Sequence, residues 1–411
     1  MTSQSSGVFN KQMFPQLIVG ASEIVRQTHA GKSLDSLWEH LIERVTHTPE
    51  DASAIMDLST ILMSRGQMAD ALRLQRMAID LQRDYCIIHG DGSGLRILAF
   101  VAPGDLMANT PIDFLLNGSN CRLWLCHVDA DTETLAGLPE HDVAFVAVGE
   151  SEANGPILDA LQILLSDYSG AILNNAPALI KSLTRDGVSL RFADTPSILA
   201  PFNQRRSRAE LAARPSDVRF PVIVRPVGTH AGNGMHLVTD TDGIIKCLAE
   251  EGTDLFYVAP FIDYSGTDGL FAKQRIVLIQ GKPYPSHMAI SSHWMVHYMN
   301  ADMQINADKR AREAAWMDTF DDDFAIRHAE AFRALYSELG LNYFGIDCAE
   351  TQDGKLLLFE LDVAMIVHDM DGDDIYAYKK PHMHHLFDAF IAMCKSHCLE
   401  PSARPQLTSA R

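Results

Sequence analysis

The apolar positions fall into three regimes along the chain. From Pro15 to about Arg83 they recur at helical spacing: Leu17, Ile18, Ala21, Ile24 and Val25 form one stripe, and Leu34, Leu37, Leu41, Ile42 and Val45 another. After the glycine-rich turn at 90–94 they contract into short, wholly apolar runs at 95–101, 121–127 and 142–148, with helical segments such as 156–166 between and after them. Strands alternating with helices predict a parallel sheet. In the second half, alternation takes over: around 271–285, Lys273 and Arg275 share one face and Ile276 and Leu278 the other. The pattern divides the chain into an all-α segment (1–90), an α/β domain (91–200) and a larger α+β domain (201–411).

The helical segment contains a stretch, 49–81, that resembles one tetratricopeptide unit. Leu58, Ser59 and Leu62 lie on its first helix, Gly66 at the turn, and Ala71 and Ala78 where the second helix must approach closely. Such repeats bury a continuous core only when about three are stacked. One clear unit is therefore expected to lean on the rest of the chain, or to dock on a second copy or a protein partner.

Charge and cysteine content narrow the function classes. The formal net charge of −19 argues against a nucleic-acid backbone as partner, which needs clustered Lys and Arg. The seven cysteines are odd in number and mostly lie in apolar runs, as expected of reduced thiols in a cytoplasmic protein. No charged segment followed by an apolar core opens the chain, and no apolar run approaches the ~20 residues that span a bilayer, so neither export nor a membrane is expected.

Chemistry concentrates at 344–369. An Asp-Gly turn at Asp353-Gly354 separates two apolar runs and signals a hairpin. Asp347 sits on one strand; Glu360 and Asp362, two apart, face the same way on the other. Three carboxylates brought together repel unless a cation joins them. Hard oxygen donors without cysteine or paired histidine favour Mg²⁺ or Mn²⁺. A second anchor is P-V-I-V-R-P-V-G-T-H-A-G-N-G-M-H-L-V at 221–238. One strand delivers Arg225, and Gly228, Gly232 and Gly234 lie in a flexible loop beside His230. Backbone N–H groups in such a loop can approach phosphate oxygens. The strand after it, through Tyr257, Val258 and Phe261, can offer its backbone to an adenine edge, and Lys273 with Arg275 suits phosphate. Loops at 102–111 and 148–156 bring Asp105, Asn109, Thr110, Glu150 and Ser151 to strand ends, where α/β sheets bind ligands. His287, Ser291, His293 and His297 follow the K-x-R strand; a histidine there could bind substrate or move a proton. The helix at 322–339 reads as core packing, and His382, His384 and His385 as a helix start or a closing loop.

The order of basic strand, glycine-rich hairpin, hinge strand, K-x-R strand and then D…E-x-D resembles the ATP-grasp enzymes, over roughly 95–400, with the 91–200 domain as the pre-ATP-grasp domain. The thirteen positions from Asp347 to Glu360, then two more to Asp362, are its most specific part. The resemblance implies Mg²⁺ held by Asp347, Glu360 and Asp362, Arg225 in place of the usual lysine on the nucleotide phosphates, Lys273 and Arg275 on ATP or an acyl phosphate, and adenine on the backbone of 257–261. Asp362 stands where many members have asparagine, and His287 where related ligases have arginine. The implied activity is ATP-dependent joining of a small-molecule carboxylate to an amine through an acyl phosphate, as in glutathione synthetase-like and RimK-like ligases. Lys273, Arg275, His287 and Ser291 are the implied catalytic residues. Two alternatives share the fold: a non-catalytic ATP-binding module that recruits a partner, and a kinase of a small alcohol.

Overall fold

The computed structural model describes residues 16–229 and 232–398. Four helices come first: α1 (Ala21–His29), α2 (Asp35–His47), α3 (Ala52–Ser64) and α4 (Met68–Leu81). The Asp51 side chain caps α3 by accepting from Ala54 N, and it pairs with Arg44 at the end of α2. Gly66 turns the chain at φ +75°, and the Ser59 hydroxyl donates to Ala71 O at 2.7 Å, tying α3 to α4 where the small residues allow close approach. Leu17 and Ile18 are not helical, as their spacing suggested. Ile18 N donates to Cys86 O and Cys86 N to Gln16 O, so this stretch lies along a strand edge and the helix starts at Ala21.

That edge belongs to β1 (Asp84–Ile88), which the hydrophobic pattern did not separate from the helical third. With β2 (Arg96–Val101), β3 (Arg122–His127), β4 (Val143–Val146) and β5 (Ile172–Leu173) it forms a sheet ordered β1-β3-β2-β4-β5. All neighbours run parallel except β1, which is antiparallel to β3. A lid sheet follows, ordered β7-β10-β8-β9, from β7 (Gln204–Ser207), β8 (Val222–Pro226), β9 (His236–Val238) and β10 (Leu255–Pro260). The third sheet is ordered β12-β11-β13-β14-β6, from β6 (Ile198–Leu199), β11 (Phe271–Ile279), β12 (Lys282–Ser291), β13 (Tyr343–Glu350) and β14 (Leu356–Asp362). The molecule is thus the expected mixed α/β fold with helices at its N-terminal end, and its second half carries the expected strands in the expected order.

Two extended apolar cores hold these layers, with smaller ones in the lid, around Tyr264 and Ala289, and inside the helical unit around Ile24, Leu41 and Leu58. One runs from Ile55 and Ala78 of the helices through Ile97 and Phe145 of the first sheet to Phe387 and Phe390 of the last helix, Lys379–Ser396. Another joins the opposite face of the first sheet to the third sheet. The lid has its own cluster around Val224, Ile244 and Phe256. The segment read as one helix at 322–339 is two, Phe324–Arg327 and Ala329–Leu339, broken at buried His328. Among the described residues no helix is long and apolar enough to cross a membrane.

Candidate functional site

The Asp-Gly hairpin forms as its sequence requires: β13 and β14 pair antiparallel around a turn in which Gly354 takes φ +80°. Asp347 lies opposite Glu360, and Gly345 opposite Asp362. All three carboxylates line one cavity of about 290 Å³ between the lid and third sheets.

Their partners differ. Asp347 is 2 % exposed and accepts from Lys273 Nζ at 2.8 Å, Arg275 Nε at 2.8 Å and Arg275 Nη2 at 3.1 Å. The register of β11 on β13 sets Arg275 directly across from Asp347. Burial alone would raise this carboxyl, but Arg275 and Lys273 hold it well below the usual carboxylate range. Glu360 pairs with Arg185 at 2.7 Å. Burial works against its charge too, but Arg185, Arg225 and Lys273 together outweigh that and lower it. Asp362 accepts from Ala364 N at 3.1 Å, and burial, with Glu360 and Glu150 nearby, pushes it up to about 7.

These hard oxygens are the donors that Mg²⁺ or Mn²⁺ takes. Among the described residues, however, no three His, Cys, Asp or Glu side chains lie together as a metal-binding group, and Asp347 is already matched by two cations. Mg²⁺ commonly uses one or two carboxylates and completes its shell with water and phosphate oxygens. Glu360 and Asp362 fit that smaller role beside a phosphorylated ligand.

Arg225 faces the cavity from β8. It is 7 % exposed and donates to the Thr229 carbonyl and, at 3.3 Å, to the Thr229 hydroxyl, while its buried Nε has no hydrogen-bond partner among the described residues. Burial, with Arg185 adding to it, lowers this guanidinium to about 10. Gly228, Gly232 and Gly234 all have positive φ. A Cβ at Gly228 would meet nothing, one at Gly232 would meet Met295 Sδ at 3.1 Å, and one at Gly234 would strike Pro226 and Glu251. The first two glycines line cavities; Gly234 serves the close packing of its own hairpin. His230 lies outside the described residues.

The hinge strand also divides. Ala259, Pro260, Phe261 and Ile262 line the large cavity, whereas Val258 packs into the lid core. Tyr257 lines a smaller cavity of about 90 Å³ behind Glu360 and Asp362. Its hydroxyl donates to Asp186 at 3.2 Å and accepts from Arg205 Nη2 at 3.0 Å.

His287 and Ser291 are not brought onto the wall of either cavity. His287 on β12 pairs across from Arg275 on β11, half-buried with its ring 5.1 Å from that of Tyr298. Burial, with Arg275 and Lys379 beside it, keeps it neutral well below the ordinary histidine range. The Ser291 hydroxyl is buried and accepts from His293 N at 3.1 Å. His297 does line the large cavity. In the 102–111 loop, Asn109 closes onto both backbone groups of Ala102, Asp105 accepts from Met107 N, and Thr110 donates to Val363 O. Those three side chains are spent on shape, while Glu150 and Ser151 line the smaller cavity. Glu150 is pushed up to about 7 by burial. The residues of 382–385 lie on the last helix: His382 is 3.0 Å from Asp318, and His385 packs on Tyr284.

Arg185 is the residue that sequence reasoning missed. It opens a helix, Arg185–Arg191, which Thr184 caps by accepting from Gly187 N. The signal was Thr184 three residues before Gly187, an N-cap pattern.

No protein-family model matches the chain, and no curated protein matches it. Solved structures do resemble it. The D-alanine–D-alanine ligase of Bacillus anthracis complexed with ATP has 14% identity and a TM-score of 0.43, over 74% of this chain and 98% of that one. A second structure of that ligase gives 13% and 0.44, with the same coverage. A RimK domain ATP-grasp protein of Sphaerobacter thermophilus gives 14% and 0.39, over 72% and 99%. The functional reading below rests on the side chains, not on these likenesses.

Proposed function

We propose that the chain is an ATP-dependent carboxylate–amine ligase. The observation that carries this reading is the large cavity itself. Its floor sets Lys273, Arg275, Asp347, Glu360 and Asp362 in one charged cluster, and the lid above presents buried Arg225, whose Nε has no partner among the described residues. An orphaned guanidinium N–H in a cavity is costly unless an anion meets it. A triphosphate would take that N–H and the backbone of the Gly228–Gly232 loop, with adenine on the apolar hinge at 259–262. Mg²⁺ held by Glu360 and Asp362 would neutralise phosphate charge; Asp347 would join it only by exchanging Lys273 or Arg275. Released from Asp347, those two cations would orient the γ-phosphate and the attacking carboxylate and stabilise charge on the transferred phosphoryl group. The amine then displaces phosphate from the acyl phosphate. The protein's part is alignment and charge neutralisation rather than covalent attack. His287 and Ser291 support the strand beneath.

Incubation with ATP, Mg²⁺ and pooled amino acids, following ADP together with new masses, tests this. ADP and an amide product are expected from the wild type, and at least ~100-fold less ADP from Glu360→Ala. Unchanged ADP release in that variant would remove the assignment of Glu360. A non-catalytic ATP-binding module is the second reading, favoured by one observation: Asp347 is fully engaged by two cations. Under it, ATP binds and no ADP forms with any carboxylate.

A further inference from the structure

We propose that Arg26, in the N-terminal helical unit, is a positioning residue for the large cavity and fixes the segment 363–371 through Asp369. This rests on the reading of that cavity as the reaction site. The segment follows Asp362 directly; Ala364, Met365 and Ile366 line the cavity, and Ile366 O accepts from Arg275 Nη1 at 3.1 Å. A shift of this segment therefore moves both the wall and one of the floor cations.

Asp369 anchors the far end of the segment, with its side chain only 3 % exposed. Arg26 Nη2 donates to one of its oxygens at 2.7 Å; Asn117 Nδ2 at 2.7 Å and His384 Nε2 at 3.3 Å meet the other. One carboxylate thus joins the helical unit, the first sheet's domain and the last helix. Arg26 is itself held in place. The amides of Val19 and Gly20 donate to Asp57 on α3, and Ser22 donates through both N and Oγ to Asp113 beside the first sheet. A Cβ at Gly20 would come within 2.9 Å of Asp113 Oδ2, so the chain passes there with no room to slide. The helical unit thereby shapes the site without touching the cavity.

Arg26→Ala leaves Asp369 bonded to Asn117 and His384, so the fold should persist. Hydrogen exchange on the full chain is expected to show amides of 363–371 exchanging at least ~5-fold faster in Arg26→Ala, with α2–α4 and the melting temperature little changed. Arg26→Lys should restore protection, because the contact is a single N–H to one oxygen. In the ADP assay, Arg26→Ala should raise the amino-acid concentration giving half-maximal rate and lower the maximal rate, and Arg26→Lys should restore both. Unaltered exchange in 363–371, or a uniform rise that Arg26→Lys does not reverse, overturns the proposal. If the wild type forms no ADP, the ligase reading fails, and the exchange comparison still decides whether Arg26 holds this segment.

Discussion

The helical unit and the lid sheet are both accessories to the central sheets, and they are attached in opposite ways. The helical unit shares a core with the first sheet and the last helix: Ile18, Ile55 and Ala78 belong to the same apolar cluster as Phe145 and Phe390. Buried carboxylates sew its edges: Asp57 on α3 takes the N–H groups of Val19 and Gly20 within the unit, and Asp113 beside the first sheet takes Ser22 N and Oγ across the seam. The lid keeps a core to itself, and its polar ties to the domain before it are half-exposed: Arg205 to Asp186 at 3.2 Å and to Glu152 at 3.4 Å, and Tyr257 to Asp186. Shared apolar burial resists separation in proportion to area, whereas exposed ion pairs contribute less than about 1 kcal/mol each. The lesson is mechanical. The unit that frames the site is fixed, and the unit that carries Arg225 and the glycine-rich loop is the one able to swing.

The most demanding way to break this contrast is through Asp57. Burial pushes its carboxyl up to about 7 against an unfolded value near 3.8, and its bonds to Val19 N and Gly20 N offset only part of that. A folded-state carboxyl raised in this way stabilises the fold fully below about pH 4, and its contribution falls as pH rises to about 7, where it levels off. The loss is about 4 kcal/mol. Urea unfolding of wild type and Asp57→Asn between pH 4 and 8 should show the wild type losing ground to the variant over that window and not above it. Parallel pH profiles would mean the 16–20 stretch is held on α3 more loosely than described.

A smaller effect is expected at Asp113. Asp113→Ala removes the acceptor for Ser22 N and Ser22 Oγ and the partner of His89 at 3.2 Å. A loss of about 1–3 kcal/mol in unfolding free energy is expected, with the same melting transition seen by probes in the helices and in the first sheet. Separate transitions would show the helical unit to be an independent body.

The lid should give the opposite result. Arg205→Ala should cost under about 1 kcal/mol globally, yet amides of β7, β8 and β10 should exchange faster while those of β2 and β3 stay protected. Equal protection of lid and first sheet in both proteins would remove the hinge from the account.

Much of the site was legible because it is local. An Asp-Gly turn flanked by apolar runs sets Asp347 against Glu360, and strand alternation puts Lys273 and Arg275 on one face. What alternation does not carry is lateral register. That Arg275 would lie across from Asp347, so that both cations grip a carboxylate assigned to metal, depends on β11 pairing with β13 across more than seventy residues. Asp57, Asp113 and Arg26 were invisible for the same reason, since their partners lie 38, 91 and 343 positions away. Arg185 is different. Its helix cap was local and readable, but its pairing with Glu360 joins positions 175 apart.

The central claim is that Arg225 and the charged floor bind a triphosphate. Calorimetric titration of ATP with Mg²⁺ into the wild type and Arg225→Ala tests it most directly. Binding by the wild type and at least ~10-fold weaker binding by the variant are expected, from the loss of a charge-assisted contact. No ATP binding by the wild type, or equal affinity in the two proteins, would contradict it.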